Sequence, residues 1–205
     1  MCGGFQVVEC PLSVDVLIHP REYHRPSSTG RLINRVMPSA HSHLFSHETP
    51  LVKEEIVQPG RSLWILHPSG RPPPAGISPA ALHVLLLDGS WREAGRMRKT
   101  VGSWGRVVSL ATSGPSRYRL RKQHADANHS TVEALAILLD FLGLREAGAR
   151  LRTQFELHVY AALRSRGAIG EAAEFLAGSS LGESLPGPLQ ELQERRPCPA
   201  GCHDL

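Results

Sequence analysis

Cysteine is missing from the whole middle of the chain: Cys2 and Cys10 lie near one end, Cys198 and Cys202 near the other. A disulfide framework of the small secreted kind is thereby excluded. No apolar run approaches the roughly 20 residues needed to cross a bilayer, so no membrane-spanning helix is expected. Met1 to Cys10 lacks the basic and apolar regions of a signal peptide, which makes the cytoplasm the expected location. A Walker-type loop, the Rossmann glycine pattern and a G-x-S-x-G elbow are all absent, which argues against the common nucleotide hydrolases, dehydrogenases and serine hydrolases. There is no internal repeat.

What is present suits a globular protein. The 205 residues, 41% apolar and 20% charged, are enough for one domain or one domain with a small appendage. A net charge of +4 is compatible with a polyanionic partner but does not identify one.

The pattern along the chain alternates strands and helices. Val14–Ile18 reads as a β-branched strand ended by His19-Pro20-Arg21-Glu22, and Ser27 to Thr29 cap a helix that Pro38 stops. Residues 62–66 form a second strand, followed by a turn over His67 to Gly70 and a Pro-rich loop. The strongest strand is 82–87, whose unbroken apolar run suits a strand covered on both faces. A helix over 91–99, a strand over 106–110, a basic loop over 111–129, a capped apolar helix from Ser130, and helices over 146–166 and 169–177 complete the reading. The expectation is an α/β fold with a mainly parallel sheet flanked by helices. In such sheets ligands bind at the carboxyl ends of the strands, where His19–Glu22, His67–Gly70 and Asp88–Trp91 would share one rim. The boundaries expected are a short extension over 1–11, a catalytic domain over 12–178, and a loosely held Ser-, Gly- and Pro-rich tail over 179–205.

Asp88 directly follows the most hydrophobic strand. A partly desolvated carboxylate is a better base. Gly89 permits close approach, Ser90 caps the next helix, and Trp91 offers a flat face for a base or adenine. On chemistry alone a second reading stands beside this one, in which Asp88 and Ser90 only cap a helix and Trp91 is core. Ser130-Thr131-Val132-Glu133 fits a capping box, and the same residues could line a pocket. Arg92 to Lys122 holds nine basic residues and one acidic one, Glu93. Within it Arg117-Tyr118-Arg119-Leu120-Arg121-Lys122 interleaves charge with an aromatic, which suits phosphates and a stacked base but also a solvated face. His41, His43 and His47 cluster with only Glu48 nearby, and the C-x3-C pair at Cys198 and Cys202 could join Cys2 and Cys10 if the termini meet. No metal is expected at the reaction site.

The stretch Leu85 to Ala94, with Asp88-Gly89-Ser90-Trp91 at its centre, resembles the signature of the DTW-domain family, usually D-x-T-W. Three more blocks agree in order: His19 to Glu22 with Ser28-Thr29-Gly30-Arg31-Leu32, then Tyr118 to Lys122, then Ser130 to Ala134. The resemblance runs over about residues 12–167 and looks nearest to the bacterial tRNA-uridine aminocarboxypropyltransferases. It implies a SPOUT-like fold with a C-terminal trefoil knot, S-adenosylmethionine as the donor substrate, and tRNA as the partner of a monomer or homodimer. Asp88 is then the expected catalytic base. Leu66, His67, Pro68, Ser69, Gly89, Ser90, Trp91, Ser130, Thr131 and Glu133 are the expected donor-binding residues. Arg21, Arg92, Arg96, Arg117, Arg119, Arg121 and Lys122 are the expected RNA contacts. The chain departs from the family in having Ser90 for Thr and in lacking most of the cysteine cluster often found before the first strand. A SPOUT-type methyltransferase, an enzyme acting on ribosomal RNA and a non-catalytic RNA-binding module are the alternatives.

Overall fold

The computed structural model describes residues 4–46, 48–112, 114–121 and 129–194. Among them five strands form one sheet: β1 (Ser13–Ile18), β2 (His41–Leu44), β3 (Ser62–Arg71), β4 (Leu82–Asp88) and β5 (Arg106–Val108). Their order is β2-β1-β4-β3-β5, and every pairing is parallel.

The two central strands show why the apolar run in β4 is continuous. Side chains alternate across a strand, so Leu82, Val84 and Leu86 enter the larger core with Val14, Val16 and Ile18. Leu85 and Leu87 enter a second, smaller core with Leu17. The larger core is closed by α2 (Thr29–Val36), α5 (Thr131–Phe141), α6 (Arg145–Ser165) and α7 (Ile169–Ala177), through Ile33, Leu135, Leu151 and Phe175 among others. The smaller is closed by α4 (Trp91–Val101), through Ala94, Met97 and Val101, and by Ile56 of the short α3 (Lys53–Ile56). The expected α/β fold with a parallel sheet between helices is the fold observed. No helix of the described residues is long and apolar enough to cross a membrane.

Several elements differ from the sequence reading. His67 to Gly70 is not a turn after β3. It lies inside β3, where the pairing with β5 shifts register between Leu66 and Arg71. A Cβ on Gly70 would come within 2.6 Å of the Val108 backbone, so only glycine lets the strand return to its neighbour there. The histidine run forms the edge strand β2, its residues mostly exposed, which leaves no apolar alternation to read. Within it His43 bonds Asp15 at 2.7 Å, and Asp15 also bonds the fully buried His83 at 2.6 Å. Those two bonds outweigh burial and hold the Asp15 carboxyl below its usual range. His47, Cys2, Cys198 and Cys202 lie outside the described residues.

Within the expected tail, the described residues carry helices. Residues 181–194 form α8 (Leu181–Ser184) and α9 (Pro186–Glu194). Leu181, Leu185 and Leu189 lie buried in the larger core. The start of the chain is tied down as well: the Val8 amide donates to the Val36 carbonyl, and the Gln6 amide donates to the Gln154 side chain. A further four-residue helix, α1 (Pro20–Tyr23), follows β1 at the rim where the site lies.

Candidate active site

The carboxyl ends of β1 and β4 lie side by side, Ile18 opposite Asp88, and the His19 amide donates to the Asp88 carbonyl at 2.9 Å. Two helices begin beside this edge. Ser28, the N-cap of α2, accepts from the Arg31 amide and donates its own hydroxyl to Asp88 Oδ2 at 2.8 Å. Thr131, in the first turn of α5, donates its hydroxyl to Asp88 Oδ1 at 2.7 Å. The carboxylate therefore sits where the positive ends of two helices converge. It is 5% exposed, and burial raises its pKa against the two hydroxyl bonds, which lower it. Glu22 pushes it further up and Arg121 pulls it down. Gly30 makes the close approach possible, since a Cβ there would fall 2.7 Å from Asp88 Oδ2.

A second layer surrounds this centre. Glu22 of α1 is buried and pairs with both Arg25 and Arg121. The Tyr118 hydroxyl donates to the Ser27 carbonyl at 2.6 Å, which fixes the turn that carries Ser28. Burial pushes the Tyr118 phenol up, so it stays a donor. The segment bearing Tyr118 is itself held by Glu133, whose carboxylate accepts from the Ser116 hydroxyl, the Arg117 amide at 2.7 Å and the Ser130 amide at 2.7 Å.

The expected capping box at Ser130 is present, so Glu133 is occupied within the chain. Ser90 forms a second box with Glu93, donating its hydroxyl to Glu93 Oε2 at 2.7 Å. The other carboxylate oxygen of Glu93 lies 3.2 Å from His19 Nδ1. Ser90 hydrogen bonds hold the Glu93 carboxyl below its usual range in spite of burial, with His19 and Arg21 adding to the effect. Trp91 stands 46% exposed at the start of α4, immediately after the Asp88-Gly89-Ser90 turn. From the middle of β3 onward, Leu66 is buried, whereas Pro68 and Ser69 are exposed and His67 bonds the Ser69 hydroxyl at 2.8 Å. Burial, with Arg98 nearby, keeps the His67 imidazole below its usual pKa, which favours its neutral form.

The basic residues divide into two groups. Arg21, Arg92, Arg96 and Arg119 are exposed. Arg117 is half-buried and engaged by the protein itself: it pairs with Glu156 at 2.6 Å, donates to the Phe175 carbonyl and lies over the Phe175 ring. Arg121 is likewise committed to Glu22 and Ser27. Lys122 lies outside the described residues. Among the described residues no group of three or more His, Cys, Asp or Glu side chains is placed to hold a metal ion.

Sequence reasoning singled out Asp88 but placed Ser28 only within a helix cap and gave no role to Gly30 or Glu22, all of which surround the acid. Their signal was the order of polar blocks, each placed just after a strand or just before a helix, which a parallel sheet folds onto one edge.

The model of the DTW domain matches residues 1–163. The chain belongs to the DTW-domain family. Asp88, Ser90 and Trp91 of the DTW signature thus fall at the carboxyl edge of the sheet, with the acid inside and the tryptophan outside. Membership in the DTW-domain family is consistent with a role in tRNA modification. No solved structure matches the chain.

Proposed function

We propose that the protein transfers the 3-amino-3-carboxypropyl group of S-adenosylmethionine to N3 of a uridine in cytoplasmic tRNA. One observation carries the reading: the acid of the DTW signature is buried at the ligand-binding edge of a parallel sheet, between two helix N-termini and beside an exposed tryptophan. The residues at this edge suit the donor. Trp91 offers an apolar face for adenine, and Leu66 to Ser69, Gly89 and Ser130 supply backbone and small polar groups around it. Ser90, Thr131 and Glu133 support the pocket from behind, since their polar groups are already bonded within the chain.

Uracil N3 is a weak nucleophile until it loses its proton. Asp88 takes that proton, and the raised pKa that burial gives it suits it to the task. The bound donor supplies a γ-carbon activated by its sulfonium, so that the N3–Cγ bond forms, the Cγ–S bond breaks and methylthioadenosine leaves. Attack at the methyl carbon instead would make the protein a methyltransferase, and the choice is one of orientation. A SPOUT-like backbone with its C-terminal knot belongs to the same reading.

The test is mass spectrometry of nucleosides from unmodified tRNA incubated with the protein and S-adenosylmethionine. A uridine heavier by an aminocarboxypropyl group, with methylthioadenosine released, is the expected result. A methylated nucleoside with S-adenosylhomocysteine would replace the reading with RNA methylation. Product on ribosomal RNA alone would move the substrate. No product on any RNA would leave an RNA-binding module.

A further inference from the structure

Both oxygens of the Asp88 carboxylate accept a hydroxyl, from two elements far apart in sequence. Ser28 uses its two capacities at once, accepting from the Arg31 amide at 3.3 Å and donating to Oδ2 at 2.8 Å. Thr131 donates to Oδ1 at 2.7 Å. Gly30 closes a third side, where a Cβ would lie 2.8 Å from the carboxyl carbon. A carboxylate with one hydroxyl on each oxygen has a fixed plane, and each oxygen keeps a second lone pair. The donors are themselves anchored: Ser27 beside Ser28 receives the Tyr118 hydroxyl at 2.6 Å, and Ser130 beside Thr131 is locked in its capping box with Glu133.

We propose that Ser28 and Thr131 are positioning residues for the transfer reaction, whose hydroxyls hold Asp88 in the one orientation that presents an oxygen to uracil N3–H. The proposal rests on the aminocarboxypropyl-transfer reading. It assigns Thr131 to the acid and not to the donor substrate. A mere helix anchor would use the same bonds to hold α2 and α5 against β4, and the difference between the two is measurable. The hydroxyls stabilise the charged form of Asp88 and so lower its pKa against burial. Removing one raises it. Activity that needs the carboxylate then appears only at higher pH. Among the described residues, the other charged or titratable groups facing Asp88 are Glu22 of α1 and, from the segment before α5, Tyr118 and Arg121. All three are retained in the variants below, so the shift is assigned to the missing hydroxyl.

The experiment measures kcat and KM against pH for wild type, Thr131→Val, Ser28→Ala and Thr131→Ser, with thermal unfolding of each. Thr131→Val keeps the shape and removes the hydroxyl. Its kcat is expected to fall about tenfold, as for the removal of one hydrogen bond. The acid limb should move up by about one pH unit, with KM for S-adenosylmethionine unchanged. Thr131→Ser restores the hydroxyl and should return both values toward wild type. Ser28→Ala breaks the second bond independently and should move the limb in the same direction, which covers the case that Thr131→Val does not fold. Folded Thr131→Val and Ser28→Ala proteins with the wild-type limb and kcat overturn the proposal. A raised KM for the donor with an unmoved limb also overturns it, returning Thr131 to the donor pocket. Absence of transfer by the wild-type protein is a separate outcome: it removes the reaction itself, and the proposal with it.

Discussion

Asp88 illustrates how much of a site one residue can reveal and how much it hides. Its place after an apolar strand marks it in the sequence, because a carboxylate is seldom put beside such a run without a purpose. Burial then fixes the direction of its pKa, upward, and two hydroxyls keep the charged form accessible. Replacement by Asn keeps the size and the hydrogen-bond acceptor but cannot take a proton. Asp88→Asn is expected to lower kcat by about a hundredfold or more. Binding of S-adenosylmethionine, followed by the thermal shift it produces, should stay near wild type. Full turnover in that variant would remove Asp88 from proton transfer. Ser28 and Gly30 were not legible in the same way. Ser28 reads as an ordinary N-cap and Gly30 as an ordinary small residue, and only the folded proximity of α2 to the end of β4 gives either a partner. A residue's type shows what it can do; what it meets depends on long-range packing.

At the scale of elements, legibility follows burial. The strand β4 was readable from its unbroken apolar run and β1 from its β-branched residues, and the helices α4 and α5 from the caps Ser90 and Ser130, the latter in the recognised spacing with Glu133. The edge strand β2 was not, since exposed His41, Ser42 and Leu44 carry no inward-facing stripe. The helices α8 and α9 were hidden by composition: Ser, Gly and Pro suggested a loose tail, while Leu181, Leu185 and Leu189 recur at the four-residue spacing that marks a buried helical face. Those leucines pack into the same core as α6, so the segment contributes to stability. Leu185→Ala is expected to cost about 2–4 kcal/mol, as for other buried leucines. It should lower the urea midpoint with little change in slope. An unchanged midpoint would mean that the segment is as loose as its composition suggests.

For the whole molecule, the sheet acts as a device for gathering short polar blocks that are scattered over more than a hundred residues. Five parallel strands place their carboxyl ends on one edge, and His19, Asp88 and the starts of α2 and α5 meet there. Basic charge follows a related division. The number of basic residues overstates the cations free for a polyanion, because Arg117 and Arg121 are paired with Glu156 and Glu22. Of the expected RNA contacts, those left exposed among the described residues are Arg21, Arg92, Arg96 and Arg119. If these four hold tRNA by its phosphates, replacing any one of them means that fewer counterions are released on binding. Arg92→Gln or Arg119→Gln should then reduce the slope of log affinity against log salt by about 0.7–0.9 for each phosphate left without its arginine. Arg117→Gln should behave differently. It breaks an internal pair, so it should lower the melting temperature and leave the salt slope unchanged. Equal reductions of slope in Arg117→Gln and Arg119→Gln would show that the internal pair opens on RNA, and would return Arg117 to the binding surface.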